Sequence, residues 1–296
     1  TIAEVLGDAG YVTLMSGKWH VGGDYPLNVW DRVNQGDATH PTPCQRGFDH
    51  FYGTLAGSGN FFDPHTLMRD DEYIELENYG DYYYTDAIAE NAAGFIEDYG
   101  QGKSPFFLYV GFTAPHWPLH ALEEDIDRYR GDYLAGWDSV RTSRHETQKG
   151  MGLLDSKWDI SPRDTSAPSW NEVDLKDWED ARMAVYAAQM DRMDQGVGKI
   201  MAKVRELGME DNTLVMFLSD NGGCAELLEE NGIPETAPES TRDGRVVQSG
   251  NLRGLLPGDE TTYLSYDLPW ANASDAPFRM FKHFTHEGGI ATPFVA

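Results

Sequence analysis

The chain has 296 residues, enough to bury a large core as one big domain or two modest ones. Its 49 acidic residues against 23 basic ones give a net charge of −26. That excess excludes general binding to nucleic acid or anionic membrane, because phosphate contacts need clustered lysine and arginine. No stretch approaches the roughly 18 apolar residues of a membrane span. Two cysteines, Cys44 and Cys224, are too few for a disulfide framework, and the sequence leaves open whether they pair.

Thr1 can cap a short helix through Asp8, and Gly10 ends it before a β-branched and aromatic strand at residues 11–15. Residues 24–84, rich in glycine, proline, asparagine and aromatics, read as a long irregular excursion packed by its rings. Helical spacing returns over residues 84–99, with Ile88, Ala92 and Phe95 on one stripe. The apolar run 105–112 suits a strand covered on both faces. A short helix is expected over residues 123–130, then an elaborated loop over 131–179. Residues 180–207 form the strongest helix, where Tyr186, Met190, Met193, Val197, Ile200, Val204 and Leu207 recur every three or four positions. Gly208 closes it, residues 212–218 supply another buried strand, and residues 226–258 read as a solvated acidic insertion. The alternation predicts an α/β fold, a mostly parallel sheet with helices on both faces.

Each of the three strands is followed at once by polar residues capable of chemistry. Lys18 and His20 follow the first, Thr113-Ala-Pro-His116-Trp-Pro-Leu-His120 the second, and Ser219-Asp220-Asn221-Gly222-Gly223 the third. Parallel strands deliver such turns to one sheet edge, where ligand groups collect. Lys18 offers a compact positive charge and His20 a proton shuttle, although for a lone lysine and histidine an ordinary surface turn is the simpler account. On so acidic a chain, a site for an anion must be a local positive pocket. Asp220 and Asn221 offer two oxygen donors to a hard cation, or simply an Asx turn that satisfies its own backbone. Pro118 keeps His116 and His120 off one uninterrupted helix, which argues against a zinc-binding helical pair. His116 is better placed as a single donor or general acid, and His120 as a structural residue. The segment 277–289 mixes Arg279, Lys282 and His286 with phenylalanines, and by itself reads as an amphipathic edge with solvated charges.

Taken in order, these pieces resemble the sulfatase family, in particular bacterial arylsulfatases. The resemblance rests on Gly10-Tyr-Val-Thr-Leu-Met-Ser-Gly-Lys18-Trp-His20-Val-Gly22, which is similar to the family's second signature. Arg46-Gly-Phe-Asp-His-Phe-Tyr-Gly53, Thr113-Ala-Pro-His116-Trp-Pro-Leu119, Ser219-Asp220-Asn221-Gly222-Gly223, Ala276-Pro-Phe-Arg-Met-Phe-Lys282 and Glu287-Gly-Gly-Ile-Ala-Thr-Pro293 support it. The resemblance implies an alkaline-phosphatase-like fold and hydrolysis of a sulfate ester by a formylglycine made from cysteine or serine. It implies a divalent cation, calcium rather than magnesium, with Asp220 and Asn221 as metal ligands. Lys18 and Lys282 would neutralise sulfate oxygens, His20 would contact the formylglycine diol, and His116 would hydrogen-bond the bridging oxygen. The implied partner is a sulfated small molecule or carbohydrate, and the implied setting periplasmic or secreted.

The chain departs from the family pattern as well. The early metal aspartates and the Cys-x-Pro-x-Arg nucleophile motif do not occur in it, and Cys44-Gln-Arg-Gly lacks the proline. The expectation is therefore that residues 1–296 are a truncated catalytic domain. Its nucleophile segment would lie upstream of Thr1, its small C-terminal domain would lie beyond Ala296, and it would be inactive by itself. A phosphate or phosphonate ester hydrolase of the same fold, or a non-catalytic anion-binding homologue, is the alternative.

Overall fold

Thr1 caps the first helix, α1 (Ile2–Asp8), through a reciprocal box in which its hydroxyl accepts the Glu4 N–H while Glu4 reaches back to the cap. In this computed structural model, which describes residues 1–21, 40–76, 80–229 and 237–296, Gly10 then takes φ +88° and the chain enters β1 (Val12–Gly17). Strand β1 is an inner strand of a five-stranded sheet. Beyond it come β2 (His50–Thr54), β3 (Leu67–Arg69), β4 (Glu72–Tyr73), helix α2 (Tyr84–Tyr99) and β5 (Phe106–Gly111). The spatial order is β4-β3-β2-β1-β5. β2 and β5 run parallel to β1 on either side, while β3 and β4 turn back antiparallel at the edge.

Alternate residues of β1 point to opposite faces, and each face acquires its own helices. Leu14 packs with Tyr52, Ile88 and Phe95 under α2, whereas Met15 packs with Ala3, Phe51 and Met68 under α1. The mostly parallel α/β sheet with helices on both faces is therefore as the sequence predicts.

The irregular reading of residues 24–84 needs correction where the chain is described; residues 24–39 and 77–79 lie outside the described residues. Three strands occur there. Their local pattern is weak because each is short and β2 contains Gly53, yet pairing of β2 with β1, of β3 with β2 and of β4 with β3 supplies what local propensity lacks. A Cβ on Gly53 would stand 1.8 Å from the Gly17 carbonyl oxygen, so this glycine permits strand contact rather than breaking the strand.

After β5 come α3 (Glu123–Ile126), α4 (Gly136–Gly150) and the 31-residue α5 (Lys176–Glu206). Helix α4 replaces the loop expected over residues 131–179. It is polar over most of its length, and only Trp137, Arg141 and His145, four residues apart, carry a buried stripe. Arg141 donates to the Ser161 carbonyl at 2.8 Å and His145 to that of Trp158 at 2.9 Å, so the stripe is anchored partly by polar contacts. In α5 the core side differs from the expected methionine stripe. Ala184 and Ala188 are fully buried while Met190 is 38% exposed, because small residues let the first half of the helix lie close to its neighbours.

The remaining elements are β6 (Phe217–Leu218), β7 (Gln248–Ser249), β8 (Thr262–Tyr263), α6 (Asp267–Ser274), α7 (Glu287–Ile290) and β9 (Phe294–Val295). Helix α6 contributes Trp270 to an edge-to-face cluster with Trp137 and Trp170. Three expectations fail here. The run 212–218 is not a buried strand of the main sheet: only Phe217 and Leu218 form a strand, it pairs antiparallel with β9, and both residues are exposed. β5 is likewise not covered on both faces, since Tyr109 is 48% exposed. Apolar runs record a preference for burial, and among the described residues no strand pairs with the outer edge of β5. The acidic segment after Glu226 is not merely solvated either. Leu228 and Val247 are buried, and Arg242 makes a bidentate pair, 3.0 Å on each arm, with the buried Asp63 carboxylate. Residues 230–236 of that segment lie outside the described residues.

Candidate active site at the strand ends

β1 ends on Gly17, at φ +120°, where a Cβ would stand 2.1 Å from the Gly111 carbonyl oxygen. That approach lets the Lys18 N–H donate to Gly111 at 2.8 Å, which fixes Lys18 between the ends of β1 and β5. Burial lowers the pKa of its ammonium; Asp220 opposes the shift, and Lys282 adds to it. His20 follows at φ +46°, its N–H donating to Leu55, its ring where a Cβ on Gly57 would be, 2.3 Å away.

The loop after β5 carries His116. Its backbone N–H donates to Thr113, and the side-chain amide of Gln189, from α5, reaches the His116 and Pro118 carbonyls at 3.4 and 3.3 Å. His116 Nδ1 lies 2.8 Å from the Trp117 carbonyl, which can only accept, so Nδ1 carries the proton and Nε2 the lone pair. Lys282 Nζ stands 3.4 Å from that Nε2 and donates to it. Burial pushes the His116 pKa down to about 4, with the two lysines contributing, so the ring is neutral at pH 7. His120, by contrast, is fully buried, bonded to Phe61 N–H and the Thr262 carbonyl, and serves the fold.

The Asp220-Asn221 turn is clamped from outside. Gly222 N–H donates to Gly289 at 3.1 Å, and Gly223 N–H donates to the Asp275 carboxylate at 2.8 Å. The Lys282 N–H donates to the Gly223 carbonyl at 3.0 Å, which ties the lysine to the same loop. Asn221 Nδ2 donates to the Gly222 carbonyl at 2.8 Å, which is not the Asx turn the sequence also allowed, and this leaves its Oδ1 to face a cation. Asp220 is exposed and close enough to Lys18 and Tyr109 to shift both. One carboxylate and one amide oxygen suit a hard divalent ion as part of its shell.

Lys18, His116, Asp220 and Lys282 thus come together, with Asn221 adjoining and His20 at the same strand end. They do not do so by sharing one sheet, since among the described residues β6 is hydrogen-bonded to β9 alone. The loop after β6 is held instead by residues 275–289. The ammonium groups of Lys18 and Lys282 face the carboxylates of Asp220 and Glu226, so a cation at Asp220 would be what makes the pocket locally positive.

Sequence reasoning missed Glu226. Its carboxylate accepts Trp117 Nε1–H at 2.6 Å, lies 3.6 Å from Lys282 Nζ and 3.1 Å from His283 Nε2. Burial alone would raise its pKa, yet Trp117, Lys282 and His283 hold it down to about 2. Its place six residues after Asp220 on one loop was the only available signal. Cys44 and Cys224 are both free, and burial pushes their thiols up to about 12 and about 11.

A model of the Sulfatase family matches residues 1–296, the whole chain. The chain belongs to the sulfatase family. Among its relatives, an uncharacterized sulfatase of Schizosaccharomyces pombe is 32% identical over 311 residues, covering 99% of this chain and 52% of that protein. An arylsulfatase of Klebsiella aerogenes is 32% identical over 317 residues, covering 100% of this chain and 61% of that protein. The chain therefore spans between half and two thirds of the length of these sulfatases. Among solved structures, Ps i-CgsB in complex with k-i-k-neocarrahexaose is similar at TM-score 0.54 and 22% identity, over 99% of this chain and 46% of that one. A complex with D-glucosamine-2-N,6-O-disulfate, described as that protein's substrate, is similar at TM-score 0.50 and 21% identity, over 76% of this chain and 50% of that one. These likenesses agree with the alkaline-phosphatase-like fold of sulfatases.

Proposed function

We propose that this chain supplies much of the site of a sulfuric ester hydrolase acting on a sulfate monoester. The observation that carries the reading is the meeting of Lys18, His116, Lys282 and Asp220 at the strand ends of a sulfatase-family chain. A sulfuryl group spreads negative charge over three oxygens, and two preorganised ammonium groups in a partly buried pocket stabilise that charge as it grows.

Asp220 and Asn221 would hold a calcium ion. When bound, it supplies a fixed positive charge beside the sulfate oxygens. A formylglycine supplies the attacking hydroxyl in such enzymes. Neither Cys44 nor Cys224 lies in a Cys-x-Pro-x-Arg context, so on this reading that group comes from outside the 296 residues. His20, at the strand end on the Gly57 side, acts as the base toward the nucleophile. His116 presents a lone pair in the resting site and becomes a proton donor to the leaving oxygen only after protonation at Nε2. A bound anion favours that protonation, because it offsets the lysine charges that depress the ring's pKa. The substrate class is a sulfated carbohydrate or small aryl sulfate, handled in a periplasmic or secreted setting.

The test is turnover of a chromogenic aryl sulfate and of sulfated oligosaccharides by this chain together with the sequence that flanks it in its gene. We expect sulfate release that a calcium chelator suppresses, and losses of at least about 100-fold in Asp220→Ala and Lys282→Ala. Faster turnover of an aryl phosphate than of any sulfate ester, or full activity in Asp220→Ala, overturns the reading.

A further inference from the structure

Beside the oxygen donors Asp220 and Asn221, the pocket holds a second set of ligand atoms in which nitrogen and sulfur join one oxygen. His116 Nε2, Cys224 Sγ and a Glu226 carboxylate oxygen all lie within 4.8 Å of one another. Imidazole, thiolate and carboxylate are ligands that zinc accepts together, with one position left open.

The surroundings already orient these atoms. The Trp117 carbonyl takes the Nδ1–H of His116 at 2.8 Å and so directs its lone pair to Nε2, the arrangement found behind metal-bound histidines. The Trp117 indole N–H holds the Glu226 carboxylate at 2.6 Å. Cys224 follows Gly222 and Gly223, where an added Cβ would strike the Gly288 carbonyl at 1.7 Å and the Tyr266 hydroxyl at 2.5 Å, so its backbone has little room to shift. A positive charge is also already present. Lys282 Nζ stands 3.4 Å from His116 Nε2 and 3.6 Å from Glu226, touching two of the three ligand groups as a cation would.

We propose that His116, Cys224 and Glu226 form a binding site for a thiophilic divalent cation such as Zn²⁺, in competition with the Lys282 ammonium. Zinc bonds of about 2.0–2.3 Å ask the three atoms to close in by about 1 Å, within the reach of side-chain rotation. On binding, the Cys224 S–H bond breaks, the sulfur–metal bond forms, and the proton passes to solvent; affinity therefore rises with pH. Lys282 swings toward solvent as the metal enters. The site stands on these placements and does not depend on the sulfate-ester reading, but its occupancy would deny His116 and Lys282 to an anion.

Cobalt(II) is the probe, since its thiolate complexes absorb in the near ultraviolet and oxygen-only sites do not. Titration of the reduced chain, free of chelators, should give a charge-transfer band that saturates at one equivalent and is displaced by one equivalent of Zn²⁺. The band should vanish in Cys224→Ser and persist in Cys44→Ser. Lys282→Met should bind cobalt about tenfold more tightly by removing the competing charge. If Cys224→Ser does not fold, His116→Gln and Glu226→Gln carry the test, each expected to weaken binding at least about tenfold. No band in the parent chain, a band that survives Cys224→Ser, undiminished binding in both glutamine variants, or weaker binding in Lys282→Met overturns the proposal.

Discussion

The carboxylate of Glu226 accepts the indole N–H of Trp117 at 2.6 Å, and so fastens the loop after β6 to the loop after β5. Among the described residues no strand pairing joins those loops, because β6 is bonded to β9 and not to the main sheet. The same carboxylate faces Lys282 and His283 from the third loop. One side chain thus links three of the four segments that carry the candidate site, the Lys18–His20 turn being the fourth.

Removing that carboxylate should loosen all three. Glu226→Ala leaves the Trp117 N–H without its partner, and we expect a loss of about 1–3 kcal/mol in urea unfolding. Glu226→Gln keeps an acceptor for the indole and should lose less than half as much. Equal losses would mean that charge, and not the Trp117 hydrogen bond, holds the loops.

Asp275 makes stability depend on pH in the opposite sense to most carboxylates. Burial pushes its pKa up to about 7, against the pull of the Gly223 N–H and Arg144. In the unfolded chain it titrates near 4, so between about pH 4 and pH 7 the folded state holds a proton that the unfolded state has lost. Stability from this group is complete below pH 4 and falls as pH rises to 7, by up to about 1 kcal/mol per pH unit. Asp275→Asn, which still offers an oxygen to Gly223, should flatten that slope. Urea midpoints of the two proteins at pH 5 and pH 8 measure it, and parallel slopes would remove Asp275 as the cause.

Glycine substitutions should separate the site turn from the scaffold. In Gly222→Ala the new methyl meets the Gly288 carbonyl oxygen at 1.7 Å, so the Asp220-Asn221 turn must move. We expect calcium affinity, read by calorimetry, to drop at least about tenfold, with about 1–3 kcal/mol lost in stability. Gly198, in α5, has nothing within 4 Å of its added Cβ. Gly198→Ala should instead stabilise by about 0.5–1 kcal/mol and leave calcium binding unchanged.

Local signals proved readable where one segment contains its own explanation. The capping box at Thr1 and Glu4 is local, and so is the 84–99 stripe, which became α2 at the boundaries read from spacing. Helix α4 was hidden because its buried stripe consists of Trp137, Arg141 and His145, two of which count as polar in any pattern. Strand β2 was hidden because its partner β1 is distant in sequence, and β3 and β4 because they are only three and two residues long.

The sequence by itself determined the family, the sheet with helices on both faces, and the residues Lys18, His20, His116, Asp220, Asn221 and Lys282 as candidates. Motif order and period-two or period-3.6 burial are properties of the chain alone. Only the tertiary structure decided how those residues meet. The 3.4 Å contact of Lys282 with His116, the clamp of Glu226 on Trp117 and the separate pairing of β6 all join positions many residues apart. Such contacts depend on side-chain direction and on which backbone donors remain free once the sheet has formed, and neither quantity is written in local periodicity.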